Sequence, residues 1–260
     1  MKRIVAALLF LVMALSLAAC GEQTETIYVI SESTRTVYGQ EIKTVHTYSD
    51  NGNLIKTEMY LVGELYQTLS RRTSQGVVFI TVTDRNGKES TQATRTTYDE
   101  KGNPLVVETS VGESVTSRVN YTYDENGNVL TVKTTTAGGV SLTTYTYDDR
   151  GNVTSRIVTV EGDESKTETT TYAYDERDYV TLEETVDVQG NPVRKMVHEY
   201  QENANRTTTY YGSDGEPDGQ VVTSEYDERG NLVKETTVID GEVAQVIVNT
   251  YIALEVPVKE

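Results

Sequence analysis

The chain has 260 residues and a formal net charge of −17, from 23 Lys and Arg against 40 Asp and Glu. It contains one Cys, two His, two Phe, 18 Tyr and no Trp. A single Cys excludes an internal disulfide and a multi-cysteine zinc site, and so acidic a chain lacks the basic footprint that nucleic-acid binding needs. Two histidines leave little material for imidazole-based catalysis.

The N-terminus has the organisation of a secretory signal peptide. A Lys-Arg pair precedes an apolar run over 4–15, which is shorter than the ~20 residues of a transmembrane helix. The residues at 17–20, Leu-Ala-Ala-Cys, resemble the lipobox of bacterial lipoproteins. That resemblance implies that residues 1–19 are a cleaved signal peptide and that Cys20 becomes a palmitate-bearing N-terminus. The alternative is a chance Cys after an ordinary signal.

Two acyl chains on Cys20 would hold the protein stably in a lipid bilayer. Residues 20–26 are then predicted to be the lipidated Cys and a short polar tether, followed by one β domain over 27–260. The expected location is extracytoplasmic, anchored to the bacterial cell membrane or the outer membrane.

The rest of the chain is an internal repeat. A Tyr followed by acidic residues and Gly-Asn recurs, with intervals of 24 to 27 residues between the later copies. The key tyrosines are Tyr48, Tyr98, Tyr123, Tyr147, Tyr174, Tyr200, Tyr226 and Tyr251. A degenerate turn at 74–76 fills the gap between the first two, and a second Gly turn lies halfway through each period. Gly supplies the positive φ that such turns demand.

Runs rich in Thr, Val, Ile and Tyr separate these turns and alternate as strands do. The pattern predicts an all-β fold, an antiparallel β-hairpin repeat array with a period of about 25 residues and about 17 strands. At ~4.8 Å per strand the sheet would be about 80 Å wide, and open sheets of that width curl. We therefore expect a curved or twisted open sheet rather than a closed shell.

Tyrosines come in pairs two residues apart just before the turns, so both rings of a pair share one face of a strand. Three complete pairs are candidate ligand-binding residues, since exposed aromatic rows can stack on sugar rings. They are Tyr121 and Tyr123, Tyr145 and Tyr147, and Tyr172 and Tyr174. The competing interpretation is that these rings pack against one another. His46 and His198 occupy the first position of the same pair, which favours a packing role for both.

The motif Tyr-x-Tyr-Asp-x-x-Gly-Asn-[Leu/Val] resembles the YD repeat of the Rhs family. Its closest copies lie at 121–129 and 145–153, and the resemblance extends over 46–251. The resemblance implies an array of β-hairpins and a habit of binding carbohydrate or cell surfaces. Large members form hollow shells around a toxin. This chain has far fewer repeats and shows no toxin domain or Asp-Pro-x-Gly cleavage motif after them, so neither property is expected here.

Metal and catalytic motifs are weak. Asp124, Asn126 and Asn128 have the spacing that opens a calcium loop, but the twelfth position is Thr135 where an EF-hand needs Glu. We find no Gly-x-Ser-x-Gly, Walker or His-Glu-x-x-His motif. The sequence therefore predicts no enzyme activity, no catalytic residues, no metal site and no cofactor.

These features together predict a membrane-anchored repeat lipoprotein that acts in adhesion or in binding a glycan or protein ligand at the cell surface. The alternative is a structural spacer or envelope component that binds nothing.

Overall fold

The computed structural model describes residues 24–201 and 204–258. This part of the chain is built from antiparallel β-strands alone. The strands in chain order are β1 (Thr24–Val37), β2 (Gln40–Tyr48), β3 (Leu54–Leu61), β4 (Glu64–Ser74), β5 (Val77–Asp84), β6 (Glu89–Tyr98), β7 (Pro104–Val111), β8 (Ser114–Tyr123), β9 (Val129–Thr136), β10 (Gly139–Tyr147), β11 (Val153–Val160), β12 (Asp163–Tyr174), β13 (Val180–Asp187), β14 (Pro192–Tyr200), β15 (Arg206–Tyr211), β16 (Pro217–Tyr226), β17 (Leu232–Ile239) and β18 (Glu242–Pro257). No described helix has the length and hydropathy needed to cross a bilayer.

Each strand pairs with the next one along the chain, which confirms the predicted hairpin array. All the predicted turns connect consecutive strands, including the degenerate turn at Gln75 and Gly76. The turns after even-numbered strands form one rim, which we call the Tyr-turn rim. The turns after odd-numbered strands form the opposite rim, which we call the Gly-turn rim.

The expectation of an open sheet is wrong, because the 18-stranded sheet closes into a barrel. β1 pairs with β2 on one side and with β18 on the other, from Thr24 opposite Pro257 to Val37 opposite Gln245. The strand that completes the ring precedes the first recognisable repeat. It begins at Thr24, so residues 24–26, predicted as tether, are paired strand.

Bulges account for the curvature that closes the ring. The register slips by one residue just before most Tyr turns, for example between Thr122 and Tyr123 and between Thr146 and Tyr147. A bulge bends its strand and increases the local twist. Repeated once per hairpin, such bends turn a wide sheet back toward its own first strand.

The register also staggers steadily around the ring. Tyr121 lies opposite Val132, which lies opposite Thr143 rather than Tyr145, a shift of two residues per hairpin. A stagger of this kind tilts the strands, as closure requires. A circle of eighteen strands at ~4.8 Å would be roughly 27 Å across before tilt widens it, and barrels of this strand number enclose a lumen.

The buried residues identify the inner wall. Thr170 and Thr185 face each other across β12 and β13 and are 1% and 3% exposed, and His198 faces the equally buried Thr208. In a closed barrel the buried face is the inner one. Following register partners around the sheet places every first tyrosine of the predicted pairs on this inner wall.

The ends of β1 and β18 extend beyond their neighbours. Residues 24–30 and 251–257 pair only with each other, forming a two-stranded segment that we call the ribbon. Tyr28 of the ribbon stacks under the guanidinium of Arg229, 4.6 Å away, and Val256 is 6% exposed. The ribbon therefore packs against the Tyr-turn rim.

Candidate functional site

The Asp and Asn of each Tyr turn hold the turn together. Asp148 Oδ1 accepts hydrogen bonds from the backbone N–H groups of Arg150 and Asn152, at 2.9 and 2.8 Å. The Asn152 side chain donates to Asp148 Oδ2 at 3.1 Å. These hydrogen bonds, led by the one from the Asn152 backbone, lower the pKa of Asp148. The acidic residue of the repeat thus stabilises its own turn.

The same geometry argues against calcium at Asp124. Its two carboxylate oxygens accept the backbone N–H and side-chain amide of Asn128, at 2.8 and 2.9 Å. Two of the three residues with calcium-loop spacing, Asp124 and Asn128, are therefore hydrogen-bonded to each other. The described residues contain no cluster of three or more His, Cys, Asp and Glu side chains suited to a metal ion.

The second tyrosines of the pairs fasten each hairpin to the one before it. Each hydroxyl donates to the backbone carbonyl just after the preceding Tyr turn: Tyr123 to Pro104 at 2.6 Å, Tyr147 to Val129 at 2.7 Å and Tyr174 to Val153 at 2.8 Å. Burial raises the pKa of Tyr174 to about 12. The second tyrosine of each pair thus has a framework role, and these three hydroxyls are already engaged in hydrogen bonds to the backbone.

The first tyrosines of the pairs are different. Tyr121, Tyr145 and Tyr172 are half-buried on the inner wall, and their hydroxyls donate to no described residue. Because of the stagger, their rings do not stack on one another across repeats. The ring stacks in the described residues pair Tyr121 with Tyr123 at 6.4 Å and Tyr179 with Tyr200 at 4.8 Å. Three free phenol groups therefore face the lumen.

Both histidines bond to a threonine on the next strand. His46 Nδ1 lies 3.0 Å from Thr57 Oγ1, and His198 Nδ1 lies 2.8 Å from Thr208 Oγ1. His198 Nε2 also lies 3.1 Å from a Glu183 carboxylate oxygen. Burial lowers the pKa of His46. These contacts agree with the packing role that their position in the repeat predicts.

Charged residues are sorted between the two faces of the wall. On the outer face, Lys43 pairs with Glu32 and Arg118 with Glu108, each at 2.7 Å. Similar outer pairs join Lys195 to Glu184 and Lys234 to Glu225. By register, the inner wall carries five arginines: Arg35, Arg71, Arg156, Arg194 and Arg206.

None of these inner guanidinium groups forms an ion pair with a carboxylate in the described ranges. Sequence reasoning missed them. Within one strand, every second residue faces inward, as for the tyrosines. The bulges change which residues these are from one strand to the next, so the sequence position of an arginine does not show which face it lies on.

One row of the inner wall brings the two kinds of residue together. Tyr145 lies opposite Arg156, Arg156 opposite Thr170, Thr170 opposite Thr185, and Thr185 opposite Arg194. The neighbouring row pairs Tyr172 with Glu183. We call Tyr145, Arg156, Tyr172, Glu183 and Arg194 the inner patch.

Sequence comparison locates the repeat. Residues 123–164 match the RHS Repeat family. The matched segment contains the motif copy at 145–153 and all but the first two residues of the copy at 121–129, and it confirms the predicted resemblance to YD-repeat proteins of the Rhs family. It also contains Tyr145 and Arg156 of the inner patch. No curated protein matches the sequence.

Two solved structures are similar over most of the chain. One is a porin-like protein from Bacteroides uniformis, at 11% identity and a TM-score of 0.35, covering 86% of this chain and 98% of that one. The other is TcdB2-TccC3 without its hypervariable C-terminal region, at 14% identity and a TM-score of 0.25. That match covers 82% of this chain and 14% of the other. Scores this low assign no function.

The predicted lipidation site, Cys20, and the signal peptide over 1–19 lie outside the described residues.

Proposed function

We propose that this Rhs-repeat protein binds a glycan inside its barrel, through the first tyrosines of its repeats. One observation carries the proposal: Tyr121, Tyr145 and Tyr172 face the lumen with hydroxyls that serve no described partner, while the second tyrosines are bonded to the framework. Tyr rings offer an apolar face for sugar rings and a hydroxyl for their polar groups. The proposed activity is binding without catalysis.

A glycan-array screen of residues 21–260 tests the proposal. We expect reproducible binding that falls at least tenfold in the triple variant Tyr121→Leu, Tyr145→Leu, Tyr172→Leu, because each stacked ring contributes ~0.5–1.5 kcal/mol. The triple Tyr→Phe variant is the matched control, since it retains the rings and should retain most of the binding.

A second control replaces Tyr38 and Tyr66, which are 72% and 48% exposed and lie outside the proposed site. Thermal unfolding must show that every variant is folded. A blank array, or equal loss of binding in the Tyr38 and Tyr66 variant, would contradict the proposal and favour the structural spacer.

We also propose that Cys20 is acylated and holds the barrel at the outer surface of a bacterial membrane. β1 begins at Thr24, only four residues later, and lies in the ribbon at the Tyr-turn rim. Four extended residues reach no more than about 14 Å. The Tyr-turn rim would then face the bilayer, and the Gly-turn rim would open away from it.

Metabolic labelling tests the anchor. We expect a palmitate analogue to label the wild-type chain and not the Cys20→Ala variant, because the acyl chains are attached at this residue. Equal labelling of the two proteins would overturn the anchor and leave the glycan proposal untouched.

A further inference from the structure

The inner patch has two arginines separated by two buried threonines. Arg156 on β11 and Arg194 on β14 are three strands apart, roughly 14 Å at the backbone, in one continuous row of register partners. Between them Thr170 and Thr185 are almost completely buried and bond to each other at 2.9 Å. Because the threonines are almost fully covered, the accessible surface comes from the two arginines, from Tyr145 of the same row and from Tyr172 of the neighbouring row.

Neither arginine has the carboxylate partner that Lys195 and Lys234 have on the outer face. Arg156 donates to Thr170 Oγ1 at 3.4 Å, while its Nε is buried and has no hydrogen-bond acceptor. A buried donor without an acceptor is costly. The protein has 40 carboxylates, yet none in the described ranges pairs with either arginine.

Glu183 is the carboxylate of the patch, and it is engaged elsewhere. One of its oxygens lies 3.1 Å from His198 Nε2, and the side chain forms no ion pair with Arg156 or Arg194. Tyr172 lies among all these groups. Its pKa is raised, chiefly by burial, with Arg156 and Arg194 acting to lower it and Glu183 to raise it. The patch thus presents two unpaired positive charges beside two aromatic rings.

The presence of arginine rather than lysine limits the chemical class of ligand that the patch could bind. A guanidinium is planar and can donate two parallel hydrogen bonds to a carboxylate or sulfate, which an ammonium cannot do. All five cations assigned to the inner wall are Arg, whereas three of the four strand-to-strand ion pairs described on the outer face use Lys. This distribution of arginine and lysine favours recognition, inside the barrel, of an anion that offers two acceptor oxygens to one guanidinium.

We infer that the inner patch binds an acidic sugar, with its carboxylate or sulfate on Arg156 or Arg194 and its ring on Tyr145 or Tyr172. The inference rests on the proposed function, since it names the chemical class of the glycan. The carboxylates of the rims oppose the approach of an anion. At physiological ionic strength the Debye length is only ~8 Å, so their field is largely screened across a lumen of this width.

Matched pairs of oligosaccharides test the inference by calorimetry at about 0.15 M salt. The probes are a galacturonic acid tetrasaccharide with its methyl ester, and sialyllactose with lactose. Within at least one pair, we expect the acidic member to bind ten or more times as tightly as the neutral one. Arg156→Gln and Arg194→Gln should each remove at least tenfold of that affinity, since a hydrogen bond to a charged group is strong.

Two further variants keep the result interpretable. Arg156→Lys preserves the charge and should lose most of the affinity, because an ammonium cannot donate two parallel hydrogen bonds to the anion. Arg118→Gln removes an outer arginine that is paired with Glu108, and it should bind as the wild type does. Thermal unfolding checks that each variant is folded.

The possible failures are distinguishable. If neutral and acidic members bind equally and the arginine variants change nothing, the inference is overturned, while loss of binding in the Tyr→Leu triple variant would still support the proposed function. If no probe and no array glycan binds, the inference and the proposed glycan-binding function are both overturned.

Discussion

Cysteines placed at Thr34 on β1 and Val248 on β18 are expected to form an intramolecular disulfide in nearly every molecule of the 21–260 chain. The two residues are direct register partners across the strand pair that closes the barrel. Opposed residues in an antiparallel pair have Cα atoms ~4.5–5.5 Å apart, within the range that a disulfide spans. In an open array the same residues would sit at opposite ends of a sheet about 80 Å wide.

The cross-link should also stabilise the fold strongly. It closes a loop of more than two hundred residues, for which the chain-entropy estimate is about 5 kcal/mol at 25 °C. Non-reducing electrophoresis with peptide mapping would identify the bond, and thermal unfolding with and without reductant would measure its effect.

The matched control pairs Thr34→Cys with Lys133→Cys on β9. That strand lies far from β1 in the ring, so we expect no intramolecular bond in this variant. Failure of the Thr34 and Val248 pair to cross-link under oxidising conditions would contradict closure of the barrel.

Replacement of Gly52 by Ala is expected to destabilise the protein more than the same change at Gly102. Both glycines occupy the same position of a Tyr turn, with φ of +75° and +82°. An L-residue in that conformation costs about 1–2 kcal/mol. At Gly102 nothing lies within 4 Å of an added Cβ, whereas at Gly52 the Cβ would lie 2.7 Å from Ile27 Cδ1 and 3.0 Å from Val256 Cγ1.

The difference between the two variants isolates the contact between the Tyr-turn rim and the ribbon. Overpacking of this kind costs ~1–3 kcal/mol, and each kcal/mol lowers Tm by ~2–4 °C in a chain of this size. We expect Gly52→Ala to melt roughly 5 °C below Gly102→Ala, with faster hydrogen exchange in the ribbon. Equal melting temperatures and equal exchange would show that the ribbon does not pack on this turn.

The hairpins could be predicted from the sequence, whereas closure of the barrel could not. The turns were predictable because Gly at a positive φ and Asp bonded to its own turn are local requirements, satisfied within five residues of chain. β1 was missed because it precedes the first Tyr turn, and its hairpin turn, Tyr38 and Gly39, lacks the motif. Closure was missed because bulges of one residue leave no trace in the composition of a strand.

The candidate site divides in the same way. The tyrosine pairs were identified from the sequence, but both rings of a pair share one face and cannot be told apart there. The structure separates them, because the stagger places a carbonyl of the preceding hairpin beside the second hydroxyl, as for Tyr147 and Val129. The arginines were missed entirely, since they share a face only after the register of many strands has been fixed.

The sequence by itself determined a repeat of antiparallel hairpins, because backbone geometry at Gly turns and alternation along strands are local. Only the tertiary structure decided that the array closes, that one tyrosine of each pair is free, and that unpaired arginines line the lumen. These properties depend on pairing between residues as distant as Thr24 and Pro257, and such pairing is set by the summed twist, bulge and stagger of all eighteen strands.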